Sequence, residues 1–207
     1  SFVKKILNLR KKKIKLLKIN KKKNILPVEF LTNLLKKSKK DSIFFSDAGA
    51  TLSWTYQASN NLKNAPNIST AFNLHSMGYA NCAAIGASIK KNNVYCIIGD
   101  GSLPMNNQEL AWSKKYPIKI VVINNNGYGI IRQTQRMFYK SKFYGSDFKN
   151  KKSALPKFNL KKMLEQYEIK TKIINNKNYS NDLRWLIKSK QSSALILNID
   201  YNFEVNT

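Results

Sequence analysis

The sequence predicts an α/β fold, a doubly wound parallel sheet with helices on both faces. Three observations predict it. Residues 93–100 (NVYCIIGD), 118–125 (IKIVVINN) and 194–200 (ALILNID) are nearly continuous apolar runs, as strands buried on both faces are. Helical segments of roughly ten residues separate such runs, the pattern of βαβ units. Two of the runs end in polar, glycine-containing turns, and ligands of open α/β sheets sit beyond the strand carboxyl ends.

Each element follows from its own residues. Residues 1–26 hold eleven basic side chains and no acidic ones, with apolar residues at loosely helical spacing (Val3, Ile6, Leu7, Ile14, Leu17). They read as a basic linker or the end of an upstream domain. The alternative is a helix lying on an anionic membrane, where each Lys is worth about 1 kcal/mol. The domain proper is expected over 27–207. Residues 28–37 (VEFLTNLLKK) have helical period and end in lysines, which suit a helix C-terminus. Residues 43–46 (IFFS) form a short strand leading into the turn DAGA. A helix of small residues over 79–91 can pack close to a sheet, and the strand 93–100 follows it. Next come a helix over 106–115 and the strand 118–125. After a polar and aromatic stretch, the chain continues as helix 160–167, strand 169–175, helix 181–190 and strand 194–200.

The composition excludes several classes. The chain has 207 residues, 43% hydrophobic, which is too apolar for intrinsic disorder. No run reaches the ~18 apolar residues of a membrane span, and lysines interrupt the N-terminal apolar residues, unlike a secretory signal. Cys82 and Cys96 lie in apolar surroundings and are expected as buried free thiols, in keeping with a cytoplasmic location. A single histidine leaves little room for a His-based metal centre. The 37 basic and 11 acidic residues give a net charge of +26, which by itself suggests nucleic acid or an anionic membrane. Yet the surplus is 33 Lys against 4 Arg, beside 26 Asn and abundant Ile. These are residues of A/T-rich codons, so a biased genome accounts for the balance without a basic ligand. A basic nucleic-acid or membrane-surface module is the rival reading from another class.

The chemistry is carried by the two polar turns. One reads Gly99-Asp100-Gly101-Ser102, the other Asn124-Asn125-Asn126-Gly127-Tyr128-Gly129. If their strands are neighbours, Asp100 and Asn125 meet at one sheet edge. A carboxylate and an amide oxygen are a partial shell for Mg²⁺, which completes six oxygens from phosphate and water. The glycines beside Asp100 let backbone N–H groups approach phosphate, and the helix near 106 turns its positive end towards the anion. The residues suggest a Mg²⁺–diphosphate site, the alternative being two strand-to-helix turns with capping polar residues.

GDGS followed by INNNGYG resembles the cofactor signature of thiamine-diphosphate enzymes. The likeness extends, in order, through SDAGATLSW (46–54), HSMGYANCAAIGAS (75–88), residues 97–139 and LPKFNLKKMLEQYEIK (155–170). Over about 28–202 the chain is similar to the C-terminal domain of acetolactate synthase-like enzymes. The resemblance implies that Asp100, Asn125 and the Gly127 carbonyl bind Mg²⁺, and that Gly101 and Ser102 donate to the diphosphate. Gly49, Ala50 and Thr51 would line the diphosphate end, Met77 would prop the bent cofactor, and Gly78 belongs to the same close-approach loop. His75 lies near the site. Glu109 is expected to support the following helix start, and Asn106, Asn107 and Asn126 to cap or turn the chain. The family's RQWQ reads Arg132-Gln133-Thr134-Gln135 here, so Thr134 implies a larger or more polar acceptor than a synthase takes. The activating glutamate is expected in a separate pyrimidine-binding domain or subunit, in a homodimer or tetramer acting on small 2-oxo acids by decarboxylation or carboligation. The chain would then be a fragment, or the small diphosphate-binding subunit of a two-subunit 2-oxo acid decarboxylase. Neither nucleic acid nor a membrane span is expected.

Overall fold

In this computed structural model the described residues are 24–148, 156–201, 203 and 205. The expected basic linker, up to residue 23, lies outside them. The strands are β1 (Ile43–Ser46), β2 (Asn67–Ser69), β3 (Val94–Gly99), β4 (Lys119–Asn124), β5 (Lys170–Ile174) and β6 (Ser193–Asn198). They pair in the order β2-β1-β3-β4-β6-β5, every pair parallel. The chain therefore steps outward from β1 to β2, recrosses to β3, and builds the other half. That reversal between β1 and β3 makes the fold doubly wound, as the sequence predicts.

Both sheet faces are buried, which is why the strands read as continuous apolar runs. Tyr95, Ile97, Val121, Ile123, Leu195 and Leu197 face α1 (Pro27–Lys37), α2 (Ala50–Ser59) and α6 (Ser180–Lys188). The alternate residues Cys96, Ile98, Ile120, Val122, Ala194 and Ile196 face α3 (Tyr79–Ser88) and α5 (Leu160–Gln166). Each such side chain, fully buried, is worth about 1.5–3 kcal/mol. Ile25 is also buried in the first of these cores, just ahead of α1.

Three elements escaped the sequence pattern. They are α2, the edge strand β2, and α4 (Gly129–Phe138). The residues of α2, ATLSWTYQAS, have no clean apolar stripe, because the helix is buried on several sides by its turn and the sheet. The helix expected over 106–115 is instead a 3₁₀ segment, Leu103–Lys114, broken at Asn106 (φ −133°, ψ 39°). The break has a cause: Asn106 gives its carbonyl to Asn81 Nδ2 at 2.7 Å and donates from Nδ2 to the Gly78 carbonyl at 3.1 Å. Cys96 is buried as expected, whereas Cys82, in the first turn of α3 with its thiol on the Gly78 carbonyl, is only half-buried.

This layering makes a contrast measurable. Leu195→Ala empties a wholly buried position in β6 and should lower unfolding free energy by about 2–5 kcal/mol. Ile173→Ala, on edge strand β5 and 45% exposed, should cost less than about 1 kcal/mol. Urea unfolding of both variants checks the assignment of core and edge.

Candidate diphosphate and metal site

The parallel sheet delivers the carboxyl ends of β1, β3 and β4 to one edge. A cleft of about 440 Å³ opens there, of the size that small-molecule sites have. Its walls are the turn after β1 (Gly49, Ala50, Thr51), the turn after β3 (Asp100, Gly101, Ser102) and the loop after β4 (Asn125, Gly127). Met77 and His75, from the segment ahead of α3, close another side. Nine of the expected cofactor and metal residues thus share one cleft. Gly78 and Thr134 stand outside its lining. Gly78 is buried directly behind Met77. Thr134 is exposed on α4, its hydroxyl donating to the Ile130 carbonyl one turn back at 3.0 Å.

Asp100 is the only carboxylate lining the cleft among the described residues, and it is 4% exposed. Burial pushes its carboxyl up to about 7, against the pull of the Gly127 N–H and of the Arg132 guanidinium. Oδ2 accepts from Gly127 N at 3.0 Å. One terminal amide atom of Asn125 stands 2.7 Å from the Gly127 carbonyl oxygen and 3.3 Å from Asp100 Oδ1. As a nitrogen it donates to both. As an oxygen it brings amide, carbonyl and carboxylate oxygens together, an arrangement a shared hard cation stabilises. Among the described residues there is no cluster of three His, Cys, Asp or Glu side chains. A site built from one carboxylate and two neutral oxygens needs none.

The loop that presents these oxygens is held from behind. Arg132, the fourth residue of α4, donates to the carbonyls of Asn126 (2.9 Å), Asn125 (3.0 Å) and Tyr201 (3.0 Å). Its guanidinium lies 3.9 Å from the Tyr201 ring centroid. Residues 146–148 strap the other side: Tyr128 N donates to the Ser146 carbonyl at 2.9 Å, and Phe148 N to the Asn126 carbonyl at 3.1 Å. Gly127 (φ 152°) has no room for a side chain, since a Cβ would run into Ser146 and Arg132. Neither Arg132 nor this strap was singled out by sequence reasoning. The rarity of arginine in a lysine-rich chain was the available signal.

Asp47 was also missed. It follows β1 directly, is fully buried, and accepts from Ala48 N at 2.7 Å and Gly78 N at 2.8 Å. It thereby ties the β1 turn to the start of α3. Gly78 takes φ 78°, and a Cβ there would press on Asn106, so its peptide is gripped by Asp47 on the N–H and by Asn106 on the carbonyl. That grip fixes the position of Met77. Burial pushes the Asp47 carboxyl up to about 6, despite its backbone hydrogen bonds. An acid at the first position after a buried strand was the signal. Asn106 and Asn126 (φ 57°) are turn residues, as expected. Glu109 is half-buried on the 3₁₀ segment, outside the cleft lining.

With this geometry in place, likeness to known proteins becomes informative. Residues 47–197 match the family described as thiamine pyrophosphate enzyme, C-terminal TPP binding domain. The acetolactate synthase large subunit of Lactococcus lactis subsp. lactis (strain IL1403) is 35% identical over 166 residues, covering 78% of this chain and 28% of that protein. That of Porphyra purpurea is 37% identical over 163 residues, covering 76% of this chain and 26% of that protein. In three dimensions the chain is similar to the thiamine diphosphate-dependent 4-hydroxybenzoylformate decarboxylase of Rhodococcus jostii RHA1. There the TM-score is 0.72 at 15% identity, over 86% of this chain and 33% of that one. The chain thus spans roughly a quarter to a third of the proteins it resembles, and the part it spans is the one that carries the cleft. It belongs to the thiamine pyrophosphate enzymes, as their C-terminal TPP-binding domain.

Proposed function

We propose that the chain holds the diphosphate of thiamine diphosphate through Mg²⁺, as the cofactor-anchoring domain of an acetolactate synthase-like lyase or transferase acting on 2-oxo acids. The observation that carries this is the meeting of Asp100, Asn125 and the Gly127 carbonyl in one cleft with the turns of Gly101–Ser102 and Gly49–Thr51. The donor set fits the metal: hard oxygens, one of them charged, with the remainder left to phosphate and water. When bound, thiamine diphosphate supplies the carbanion-stabilising chemistry of 2-oxo acid decarboxylation and carboligation.

The chain's own residues anchor and orient. Asp100, Asn125 and Gly127 would hold the cation, and Gly101 and Ser102 would offer N–H groups to the diphosphate. Met77 would present an apolar surface to the cofactor, its position set by the Gly78 peptide that Asp47 and Asn106 hold. The cleft lining contains no carboxylate besides Asp100 among the described residues, and a pyrimidine-binding domain or subunit would supply the activating glutamate. Exposed apolar side chains beside the cleft support such docking, among them Leu74, Phe72 and Ile131. Thr134, exposed on the same helix as Ile131, would meet the acceptor substrate only once that partner is in place.

Asp100→Ala should weaken Mg²⁺-dependent thiamine diphosphate binding by about two orders of magnitude, since it removes the one charged ligand. Circular dichroism should stay native. Calorimetric titration measures this, and unchanged cofactor affinity would refute the metal assignment.

Asp47 gives a pH signature. Its carboxyl is raised from 3.8 to about 6 in the fold, so the folded chain binds that proton more tightly than the unfolded chain does. Its contribution is fully present below pH 3.8 and is lost as pH rises through about 6. Across that window, wild-type stability should fall relative to Asp47→Asn by up to about 3 kcal/mol. Urea unfolding of both proteins between pH 3.5 and about pH 7 tests it. Parallel stability curves would show that the carboxyl is not buried as described.

A further inference from the structure

The opposite edge of the sheet carries a second cleft, of about 560 Å³, that shares no lining residue with the first. It lies among the turns that precede β1, β3, β4 and β6. Three of those turns and β4 supply five lysines to its lining: Lys39, Lys91, Lys119, Lys188 and Lys190. Among the described residues, none of the five has a carboxylate within ion-pairing distance. The nearby Asp41 accepts instead from Asn93 Nδ2, at 2.8 Å.

Lys119 separates this cleft from an ordinary basic surface. It is the first residue of β4 and only 5% exposed, whereas lysines are almost never buried unpaired. Its three N–H donors meet one acceptor, Asn93 Oδ1 at 3.4 Å, and the face of Tyr95, with Nζ 5.1 Å from the ring centroid. Ser193, directly opposite Lys119 in the β4–β6 register, is buried and its hydroxyl has no partner. Burial lowers the Lys119 ammonium from its usual range and the charge of Lys39 lowers it further, while the carboxylate of Asp41 pulls the other way. A lysine-rich composition accounts for exposed lysines, but not for a buried one that lines a cleft and meets a single acceptor.

We propose that this cleft is an anion site for an oligophosphate, either inorganic triphosphate or the phosphate chain of a nucleotide. Several lysines converging on a small volume match several phosphate charges, and Lys119 gains the acceptors that the protein does not give it. Among the described residues no aromatic side chain lines the cleft, so none of them stacks a base there, and the phosphate chain alone should set affinity. The site is independent of the thiamine diphosphate cleft, on the other edge of the sheet.

The test is calorimetry on the whole chain with inorganic triphosphate and with ATP. EDTA is present, so that metal-dependent binding at the other edge is silent. One saturable site is expected. Lys188→Gln/Lys190→Gln and Lys119→Met should each weaken it at least about tenfold. Lys161→Gln/Lys162→Gln, which takes the same charge from the exposed face of α5, should change it less than about twofold. The double variant keeps the test alive if Lys119→Met does not fold. Equal binding of the two ligands identifies the bare phosphate chain as what is recognised, and tighter ATP identifies a nucleotide; both uphold the site. Unsaturable binding, or equal losses in the cleft and α5 variants, would reduce it to diffuse charge and overturn the proposal.

Discussion

A carboxylate buried at the end of a central strand governs the architecture around it. Asp100 is almost fully out of water, and burial alone favours its neutral form. The fold answers with local dipoles and one distant cation, not a salt bridge. Gly127 N–H is aimed at Oδ2, and Arg132 stands behind the loop with its donors spent on carbonyls. Arg132 in turn needs Tyr201, whose hydroxyl donates to Asp147 Oδ2 at 2.8 Å in the strap that backs Gly127. A single desolvated charge thus ties together the β4 loop, α4, the 146–148 strap and the residues after β6. A group so incompletely neutralised is well prepared for a divalent cation, because the ion replaces missing solvation instead of competing with an existing partner.

The same sheet produces opposite chemistry at its two edges. Parallel strands send every carboxyl end one way, so turns rich in glycine, amide and carboxylate groups gather at one edge. Every amino end goes the other way, and there the turns gather lysines. The core between them is a continuous apolar layer on both faces, so the edges share the rigid strands β3 and β4 without sharing side chains.

Sequence reasoning read the central part of this well, for a physical reason. Strands buried on both faces must be apolar without interruption, and their ends must turn, so β3, β4 and β6 and the turns carrying Asp100 and Asn125 stood out. The periphery was harder. The edge strand β2 has only three residues and one half-buried side chain, too little for a period to show. The helix α2 is enclosed on too many sides to keep a stripe. The 3₁₀ segment misled because its apolar spacing is compatible with an α-helix. Its departure is set by Asn106 reaching Gly78 and Asn81, partners 28 and 25 residues away, which no local window contains.

What the sequence held but hid was a matter of background. In a chain with 33 lysines and 4 arginines, basic residues carry little information as a class, and the exceptions carry a good deal. In a chain this rich in lysine, an arginine marks a place where a planar fork of donors is useful. Arg132, reaching three carbonyls and stacking on a ring, is such a place. Where lysines crowd the surface, a buried one marks a cation that the fold retains against its desolvation cost, and Lys119 is that case. Lys119 opens the central strand β4 and Arg132 lies on the helix that follows it, one at each end of the sheet. Composition that looks featureless in total therefore becomes legible once each charge is weighed against what the background alone would put there.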